Sequence, residues 1–318
     1  MKSLVIFACA LMSAGYGVGG SAQTAPPWSG QHNNPARDPG YVFHVPDVDN
    51  VPDLHGNPAD AKLVLFIGGN QFFVLPRLVA AFEAHHPELA GHIFYETLPP
   101  GILRRQMAAH NTITLGNLTL TVQPDVYEAG ARVLSQMQQA GQVTNVVRYA
   151  SNNLEIMVKA GNPKGIHSLN DLARPDVRLS MPNPEWEGVA NQIGNSLRKA
   201  GGQQLYKAVY ETKVQTGKTL LTEIHHRQTP MRIMNGQADA GVTWASEVRF
   251  QESIHNPIAG VQIPAAQNTV AVYAGGALTD APHAQAAVQW LEFLRTPEAQ
   301  AIYHRYGFQS IAASTQEE

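Results

Sequence analysis

The sequence has 318 residues, 15% of them charged, and a formal net charge of −3 at pH 7. This length suits one large domain or two domains of ordinary size. The charges form no long runs, so the sequence lacks the basic footprint of a nucleic-acid-binding protein. After the first 22 residues, no segment is apolar enough to predict a membrane span.

The first 22 residues have the three zones of a secretory signal peptide. A positively charged amino terminus precedes a short apolar core at residues 4–12, and Gly20 and Ala22 are small enough for cleavage after Ala22. The single cysteine, Cys9, lies inside that core. We therefore expect an exported, periplasmic protein whose mature chain has no disulfide, thiolate metal site or cysteine nucleophile.

Residues 23–60 differ in composition from the rest of the chain. Prolines recur there with glycine, asparagine and histidine between them, and the segment has little hydrophobic periodicity. Such a composition predicts an extended arm or an irregular cap before the folded core.

From Lys62 the pattern changes to alternating strands and helices. Residues 63–67 form an unbroken apolar run, which is typical of a strand buried on both faces. The elements predicted next, in chain order, are a helix with Leu75, Leu78, Val79 and Phe82 on one face, a strand at 92–96, a helix at 102–110, a hairpin at 113–120 that turns at Gly116-Asn117, and a strand that begins near Pro124. This alternation is the signature of a parallel sheet.

The second half of the chain begins with extended segments that could cross between two lobes. The elements predicted there are extended segments at 146–150 and 154–158, a strand at 176–181, a helix on which Val189, Ile193 and Leu197 share a face, a strand at 237–244, an extended segment at 269–274, and helices at 284–294 and 297–306. Gly236 can end the preceding helix in a left-handed conformation. The strand after it would deliver Trp244 to its carboxyl edge, where ligands of open α/β sheets bind.

Several short segments follow one another in a characteristic order between Lys62 and Phe308. They are Phe82-Glu83, Pro124-Asp125-Val126-Tyr127, Asn153-Leu154, Ser168 to Leu172, Glu187 to Ala190, Gly236 to Trp244, and Pro297 to Gln300 through Gly307-Phe308. In this order they resemble the exported solute-binding proteins of ABC importers, especially the molybdate-binding family.

The resemblance implies an α/β, two-lobed type 2 periplasmic binding protein fold with discontinuous lobes and a hinge. We expect lobe I to comprise residues 61–150 and 263–318, and lobe II residues 151–262. Such a protein captures a small ligand in the cleft between its lobes and delivers it to a membrane transporter permease. We expect a monomer without a cofactor. A periplasmic sensory or ligand-carrier protein that is not coupled to an ABC importer would have the same sequence signature.

In the molybdate-binding family, serine hydroxyls and backbone N–H groups hold the ligand at turns and at helix amino termini. Orphan N–H groups and the helix dipole favour an oxyanion there without a cation. The positions of this chain that match those turns and the strand end are Gly69-Asn70, Pro100-Gly101, Glu187-Gly188-Val189 and Trp244.

The sequence departs from the family pattern at these positions. Gly69-Asn70 stands where a small residue and a serine are expected, and residues 98–101 replace a Gly-Ser-Ser pattern with two prolines, which have no N–H to donate. Glu187 brings a negative charge, and Trp244 occupies a tyrosine position. We therefore expect an organic ligand rather than a tetrahedral oxyanion, with an oxyanion of the molybdate or tungstate type as the alternative.

The residues that replace the family's hydroxyl groups are largely aromatic. Aromatic walls with a few hydrogen-bonding groups suit an organic ligand, and a cationic one would gain from Glu187 and the ring faces. The residues that we predict to contact the ligand in this way are Asn70, Gln71, Phe72, Phe73, Tyr127, Trp186, Glu187 and Trp244. For Trp186 and Trp244, a plain core position is the alternative.

Thirteen histidines invite a metal-site interpretation. His85-His86 and His225-His226 are adjacent pairs, and neighbours on a helix point about 100° apart, so both members of a pair cannot easily face one metal. No His-Glu-x-x-His spacing occurs. We predict surface or capping histidines and no metal site, with metal-dependent binding through His167 or His225 as the alternative.

An enzyme would require a nucleophile with a base or paired carboxylates in a cleft. Glu187 and Asp125 are a candidate pair of carboxylates. Asp125, however, follows a strand and precedes an apolar residue, a place where a carboxylate more often fixes a turn or a helix amino terminus. We therefore predict a binding protein without catalytic residues.

Overall fold

The computed structural model describes residues 53–115, 118–223 and 225–311. The predicted signal peptide, the predicted arm up to residue 52 and the predicted turn at Gly116-Asn117 lie outside the described residues. Within the described part of the chain, no helix combines the length and the apolar character that a membrane span requires.

Strands and α-helices are numbered here in chain order. The strands are β1 (Leu54–His55), β2 (Leu63–Ile67), β3 (Ile93–Glu96), β4 (Thr112–Leu115), β5 (Leu118–Thr121), β6 (Val126–Gly130), β7 (Val143–Lys159), β8 (Leu179–Met181), β9 (Thr219–Leu221), β10 (Ala240–Trp244), β11 (Ile258–Gln262) and β12 (Val270–Leu278). The helices are α1 (Leu75–His85), α2 (Pro100–Ala108), α3 (Ala131–Gln139), α4 (Gly188–Lys207), α5 (Lys213–Gln215), α6 (Gln228–Met234), α7 (Ala245–Ser253), α8 (Ala284–Phe293) and α9 (Pro297–Arg305).

The strands other than the β4–β5 hairpin form one continuous ladder. Its order is β1-β3-β2-β6-β12-β7-β10-β8-β9, and β11 also pairs with β7. β2 lies parallel to β3 and β6, and β8 lies parallel to β9 and β10. The prediction of a parallel sheet is therefore wrong for the middle of the ladder, where β7 and β12 run antiparallel to each other and to their outer neighbours.

β7 joins the two halves of the sheet. Its first part, from Val143 to Asn153, pairs with β12, and its second part, from Leu154 to Lys159, pairs with β10 and β11. The two extended segments predicted at 146–150 and 154–158 are thus one strand of 17 residues. Because no turn interrupts it, the same strand contributes to both halves.

The side chains of β2 enter two different cores, as a strand buried on both faces requires. Leu63, Leu65 and Ile67 belong to one hydrophobic cluster, whereas Val64 and Phe66 belong to another. This alternation follows from the two-residue period of a strand. We call the half of the sheet from β3 to β12, with these two cores and their helices, lobe I; β1, in the arm, pairs with its edge.

The other half of the sheet has its own core. There α4 packs Val189, Ile193 and Leu197 against residues of β10, which include Val242 and Trp244. We call this half, with α4 to α7, lobe II. The residue boundaries expected for the lobes, near 150 and 262, stay a prediction.

Turn residues set the helix boundaries that position the cleft. α2 begins at Pro100, two residues earlier than predicted, because the fixed φ of proline suits the first helical position. After α6, Gly236 adopts a φ of 70°, which confirms the predicted left-handed helix stop. β10 then ends at Trp244, and α7 begins at the next residue.

Gly241 in β10 lies against the neighbouring strand, which generates a stability prediction. A Cβ at this position would lie 2.5 Å from Cγ2 of Thr229 and closer still to the Ser180 carbonyl oxygen. We expect Gly241→Ala to lower the free energy of unfolding by about 1–3 kcal/mol, the usual cost of overpacking, in urea denaturation.

Gly130→Ala is the matched control, because Gly130 has a φ of −64° and a Cβ there would meet no atom within 4 Å. Its free energy of unfolding should change by less than about 0.5 kcal/mol. Equal stability of the two variants would contradict the close approach of β10 to β8.

Candidate functional site

A cavity of about 560 Å³ lies between the two lobes. Lobe I contributes the ends of β2 and β6 and the starts of α2 and α3, and lobe II contributes α4, the segment before α6 and the end of β10. The lining residues are Gly68, Gly69, Asn70, Pro99, Pro100, Ala129, Gly130, Arg132, Val133, Gln136, Glu187, Gly188, Val189, Asn191, Gln192, Asn195, Arg198, His225, His226, Trp244, Ala271 and Tyr273.

The cavity brings together residues from each of the predicted turns and from the predicted strand end. Those that lie on its wall are Gly69, Asn70, Pro100, Glu187, Gly188, Val189 and Trp244. The connections that the sequence predicted on both lobes thus meet at this cavity, and their contact with a ligand stays a prediction.

Gln71 and Tyr127 do not line the cavity, because their side chains turn into lobe I. Both side chains are fully buried. The amide nitrogen of Gln71 donates to the Tyr149 hydroxyl at 2.7 Å, and the Tyr303 hydroxyl donates to the Gln71 amide oxygen at 3.0 Å. The Tyr127 hydroxyl donates to the Pro100 carbonyl at 3.2 Å. These two side chains therefore lie in the interior of lobe I, behind the residues that line the cavity.

Phe72 and Phe73 are also core residues rather than cavity walls. Their rings lie 5.0 Å apart in an edge-to-face arrangement within lobe I. The Phe250 ring of α7 stacks on Phe73 at 4.8 Å, so the pair forms a contact between the lobes. The predicted aromatic wall at this turn is therefore an interlobe packing surface.

Gly101 and Trp186 form another contact between the lobes and do not line the cavity. The Gly101 amide donates to the Trp186 carbonyl at 3.2 Å, so this donor is used within the protein. A Cβ on Gly101 would lie 2.7 Å from that carbonyl oxygen. Near them, Arg105 pairs with Glu185 at 2.8 Å.

Trp244, Tyr273 and Asn70 form a polar and aromatic floor. The rings of Trp244 and Tyr273 lie 5.9 Å apart in an edge-to-face arrangement. Asn70 donates to the Tyr273 hydroxyl at 2.6 Å. Trp244 also packs in the core of lobe II. It therefore combines the core position with the position on the cavity wall that the sequence offered as alternatives.

The amino termini of α3 and α4 are among those that face the cavity with no side-chain cap. α3 follows Gly130, and α4 begins at Gly188, and both glycines line the cavity. The first N–H groups of a helix have no intrahelical partner, and the helix dipole favours negative charge at this end. These two termini therefore favour an acidic group of a solute.

Two arginines on the cavity wall were not predicted. Arg132 lies in the first turn of α3, and Arg198 lies on α4, where its Nε donates to Gln203 at 2.9 Å and its guanidinium lies 3.9 Å from the Tyr206 ring centre. Asn191, Asn195 and Arg198 recur at helical spacing opposite the apolar face of α4. This polar stripe was visible in the sequence and could have identified the wall.

Glu187 is buried, and its carboxylate is bound within lobe II. One carboxylate oxygen accepts hydrogen bonds from the Asn183 amide at 3.0 Å and from the Thr222 hydroxyl. The other accepts from the amide and from Nδ1 of His226, at 2.6 and 2.8 Å. The predicted role of Glu187 as a handle for a cationic ligand is corrected accordingly, because His226 occupies that carboxylate.

His226 lies between two carboxylates. Its Nε2 is 2.9 Å from Oε2 of Glu247, opposite the contact with Glu187. Burial alone lowers the pKa of His226, but the charge of Glu247 and the hydrogen bonds to both carboxylates raise it to about 10. Burial likewise opposes the charge on Glu247, yet His226 holds the pKa of that carboxyl below its usual value. His226 is therefore an imidazolium at neutral pH.

For the His225-His226 pair, the sequence predicted a surface or a capping position, and the surface position is wrong, because both rings are buried at the cavity wall. Nearby carboxylates bind them there, and such tertiary contacts leave no local pattern in the sequence. Within the described residues, no group of three or more histidine, cysteine, aspartate or glutamate side chains is arranged to hold a metal ion.

Asp125, the other carboxylate of the candidate catalytic pair, fixes backbone instead. It accepts hydrogen bonds from the Val64 amide at 2.8 Å and from the His283 amide, just before α8, at 2.7 Å. Both bonds are structural, as the position of Asp125 before β6 suggested.

The sequence matches the profile of a family described as bacterial extracellular solute-binding protein over residues 63–309. It is 27% identical over 264 residues to a sulfate-binding protein of Synechococcus elongatus, which covers 80% of this chain and 73% of that protein. It is 28% identical over 172 residues to the molybdate-binding protein ModA of Mycobacterium tuberculosis, which covers 53% of this chain and 57% of that protein. The chain thus spans little more than half of the molybdate-binding relative.

Solved structures of binding proteins have the same fold. The sulfate-binding protein SubI of Mycobacterium tuberculosis superposes with a TM-score of 0.64 at 18% identity, over 80% of this chain and 88% of that one. The periplasmic molybdate-binding protein of Azotobacter vinelandii gives 0.61 at 14% identity, over 79% and 100%. These findings confirm the predicted type 2 periplasmic binding protein fold and the predicted class of binding protein rather than enzyme.

The charge of His226 leads to a prediction about pH. Because the pKa of His226 is about 10 in the folded protein and 6.5 in the reference state, its ion pairs stabilise the fold fully below about pH 6.5 and progressively less up to about pH 10. In nitrogen-15 NMR spectra, the His226 ring should remain doubly protonated at pH 8. The stability advantage over His226→Gln should shrink between pH 7 and pH 10, whereas a ring that titrates near pH 6.5 would contradict the buried ion pairs.

Proposed function

Since the chain belongs to the bacterial extracellular solute-binding protein family, we propose that its cleft captures a small organic solute with an acidic group, and that the loaded protein delivers this solute to a membrane transporter. The proposal is based on the volume of the cavity and on the chemistry of the residues that line it. The proposal includes export to the periplasm through the amino-terminal segment 1–22.

The size of the cavity supports an organic solute. Its volume of about 560 Å³ falls within the range of about 300–1,000 Å³ that is usual for small-molecule sites. A tetrahedral oxyanion has five heavy atoms and would contact only a small part of this wall. The rings of Trp244 and Tyr273 offer apolar surface that an oxyanion cannot use.

The charge of the wall supports an acidic group on that solute. Arg132 and Arg198 line the cavity, and Glu187 is the one carboxylate among the described lining residues. Because His226 binds Glu187, little of that negative charge is available to a cationic solute. The amino termini of α3 and α4 add donors that favour a carboxylate or a phosphate.

A second candidate is an oxyanion of the sulfate or molybdate type. The uncapped helix amino termini favour it, and relatives of this chain are named as sulfate-, molybdate- and thiosulfate-binding proteins. At the second predicted turn, however, Pro100 lacks an N–H, and the Gly101 amide already donates to Trp186. This turn therefore offers fewer donors than the family pattern.

The proposed capture involves hinge motion between a lobe I of residues 61–150 with 263–318 and a lobe II of residues 151–262. Separate cores support this division, since every buried cluster residue except Ile263 lies in the core of the lobe to which the division assigns it. β7 and β12 would bend where they cross from one lobe to the other. Hinge closure around a solute is one of the common conformational changes of binding proteins.

Arg132 provides the test of the acidic group. Screening by thermal shift and calorimetry should identify binding by small carboxylates or organic phosphates, and mass spectrometry of molecules that copurify should identify the class directly. For the best binder, Arg132→Ala should raise the Kd about ten- to a hundredfold, because it removes a charge-assisted contact.

Arg295→Ala, an exposed arginine outside the cavity, is the control and should leave the Kd unchanged. Tight binding of molybdate, tungstate or sulfate without binding of any organic acid would contradict the proposal and support the second candidate, an oxyanion-binding protein. An Arg132→Ala variant that binds as well as the unchanged protein would exclude Arg132 as the contact for the acidic group.

A further inference from the structure

The described end of the N-terminal arm, residues 53–60, is fixed to lobe I. It precedes the segment 63–309 that matches the family profile. Within it, β1 pairs antiparallel with β3 at the edge of the sheet, and the His55 ring stacks on the Tyr95 ring at 4.4 Å. This part of the arm therefore moves with lobe I.

Asp53, just before β1, reaches across to lobe II. Its carbonyl oxygen accepts a hydrogen bond from the Thr97 amide of lobe I at 2.9 Å. Its carboxylate binds Nη2 of Arg227 through one oxygen and lies 3.0 Å from Nε2 of His225 through the other. Arg227 and His225 belong to the segment of lobe II between β9 and α6. The arm thus makes an ion pair between the lobes.

Residues of lobe I pack closely around Arg227 and His225 of this segment. Nη2 of Arg227 also donates to the Thr97 carbonyl at 3.1 Å, and the guanidinium lies 4.6 Å from the Phe72 ring centre. The His225 ring lies so close to Gly69 that a Cβ there would be 2.9 Å from Nδ1. The absence of a side chain on Gly69 permits this approach.

The ion pair is almost fully excluded from water. The side chains of Asp53 and Arg227 are 1% and 3% exposed. Burial alone raises the pKa of Asp53, but the charge of Arg227 lowers it to about 2, so both groups are charged at neutral pH. Removal of one partner would leave the other as an uncompensated buried charge. Separation of the lobes has to break this pair.

We propose that Asp53 is an interlobe latch, through which the N-terminal arm holds Arg227 and shifts the lobes towards the conformation in which they touch. The apparent affinity for a solute falls with the fraction of the protein that is not in the binding-competent conformation. A protein that already populates this conformation therefore binds its solute more tightly. The latch acts on the lobes themselves, whatever the solute. Its failure would therefore leave the proposed function standing.

The distance between the lobes tests the latch without any ligand. Nitroxide labels on Ala80→Cys of α1 and Gln204→Cys of α4, both exposed positions, report this distance in the mature full-length protein by pulsed electron paramagnetic resonance. In Asp53→Asn, we expect the ratio of long-distance to short-distance population to rise about tenfold or more. Arg227→Gln should produce the same shift, and the double variant should add little to either.

Asp60→Asn is the matched control, because Asp60 is an exposed carboxylate of the same segment whose side chain binds Asn57. Its distance distribution should equal that of the unchanged protein. If Asp53→Asn and Arg227→Gln also keep that distribution, the latch is disproved.

Hydrogen exchange provides a second test that needs no labels. The Gly101 amide lies in the first turn of α2 and donates to the Trp186 carbonyl across the lobes, so it becomes accessible when the lobes separate. It should exchange about tenfold or more faster in Asp53→Asn than in the unchanged protein, and equal exchange in the two proteins would overturn the latch.

Discussion

The backbone pairing of β7 is the constraint on which the two-lobed architecture depends. One strand of 17 residues supplies hydrogen bonds first to β12 and then to β10 and β11. The lobes consequently share a backbone ladder, although their hydrophobic cores contain different residues. Relative motion of the lobes must occur by bending of this ladder, because a shift in register would move every side chain of β7 to the opposite face.

The same ladder determines where the cleft lies. In lobe I, β2 and β6 are parallel neighbours that end at the same edge, so the turns after Ile67 and Gly130 come together there. In lobe II, β10 ends at Trp244 on the facing side. Helices that follow these strands have their amino termini at that edge, which concentrates unpaired N–H groups around one cavity. The proposed preference of the cleft for a negatively charged group is thus partly a property of the fold.

Local patterns predicted the elements and the turns, whereas the directions of several side chains depended on tertiary contacts. The apolar run of β2, the helix stop at Gly236 and the apolar face of α4 are all determined by neighbours in sequence, and each was found. Gln71 follows two residues that do line the cavity, but a 3₁₀ turn directs its side chain to Tyr149 and Tyr303. Arg227 and Asp53 are 174 residues apart, and nothing near either residue indicates the other.

The segment 225–227 shows how the protein can line a cleft with charged residues and still favour one sign of solute charge. His226 turns to the carboxylates of Glu187 and Glu247 in lobe II, and Arg227 turns to Asp53 in lobe I. One imidazolium between two carboxylates leaves a single buried negative charge, while Arg227 and Asp53 balance each other. Arg132 and Arg198 face the cavity from opposite lobes, so the balance of these groups is positive. An acidic solute would therefore enter a favourable field, and a cationic one would be repelled.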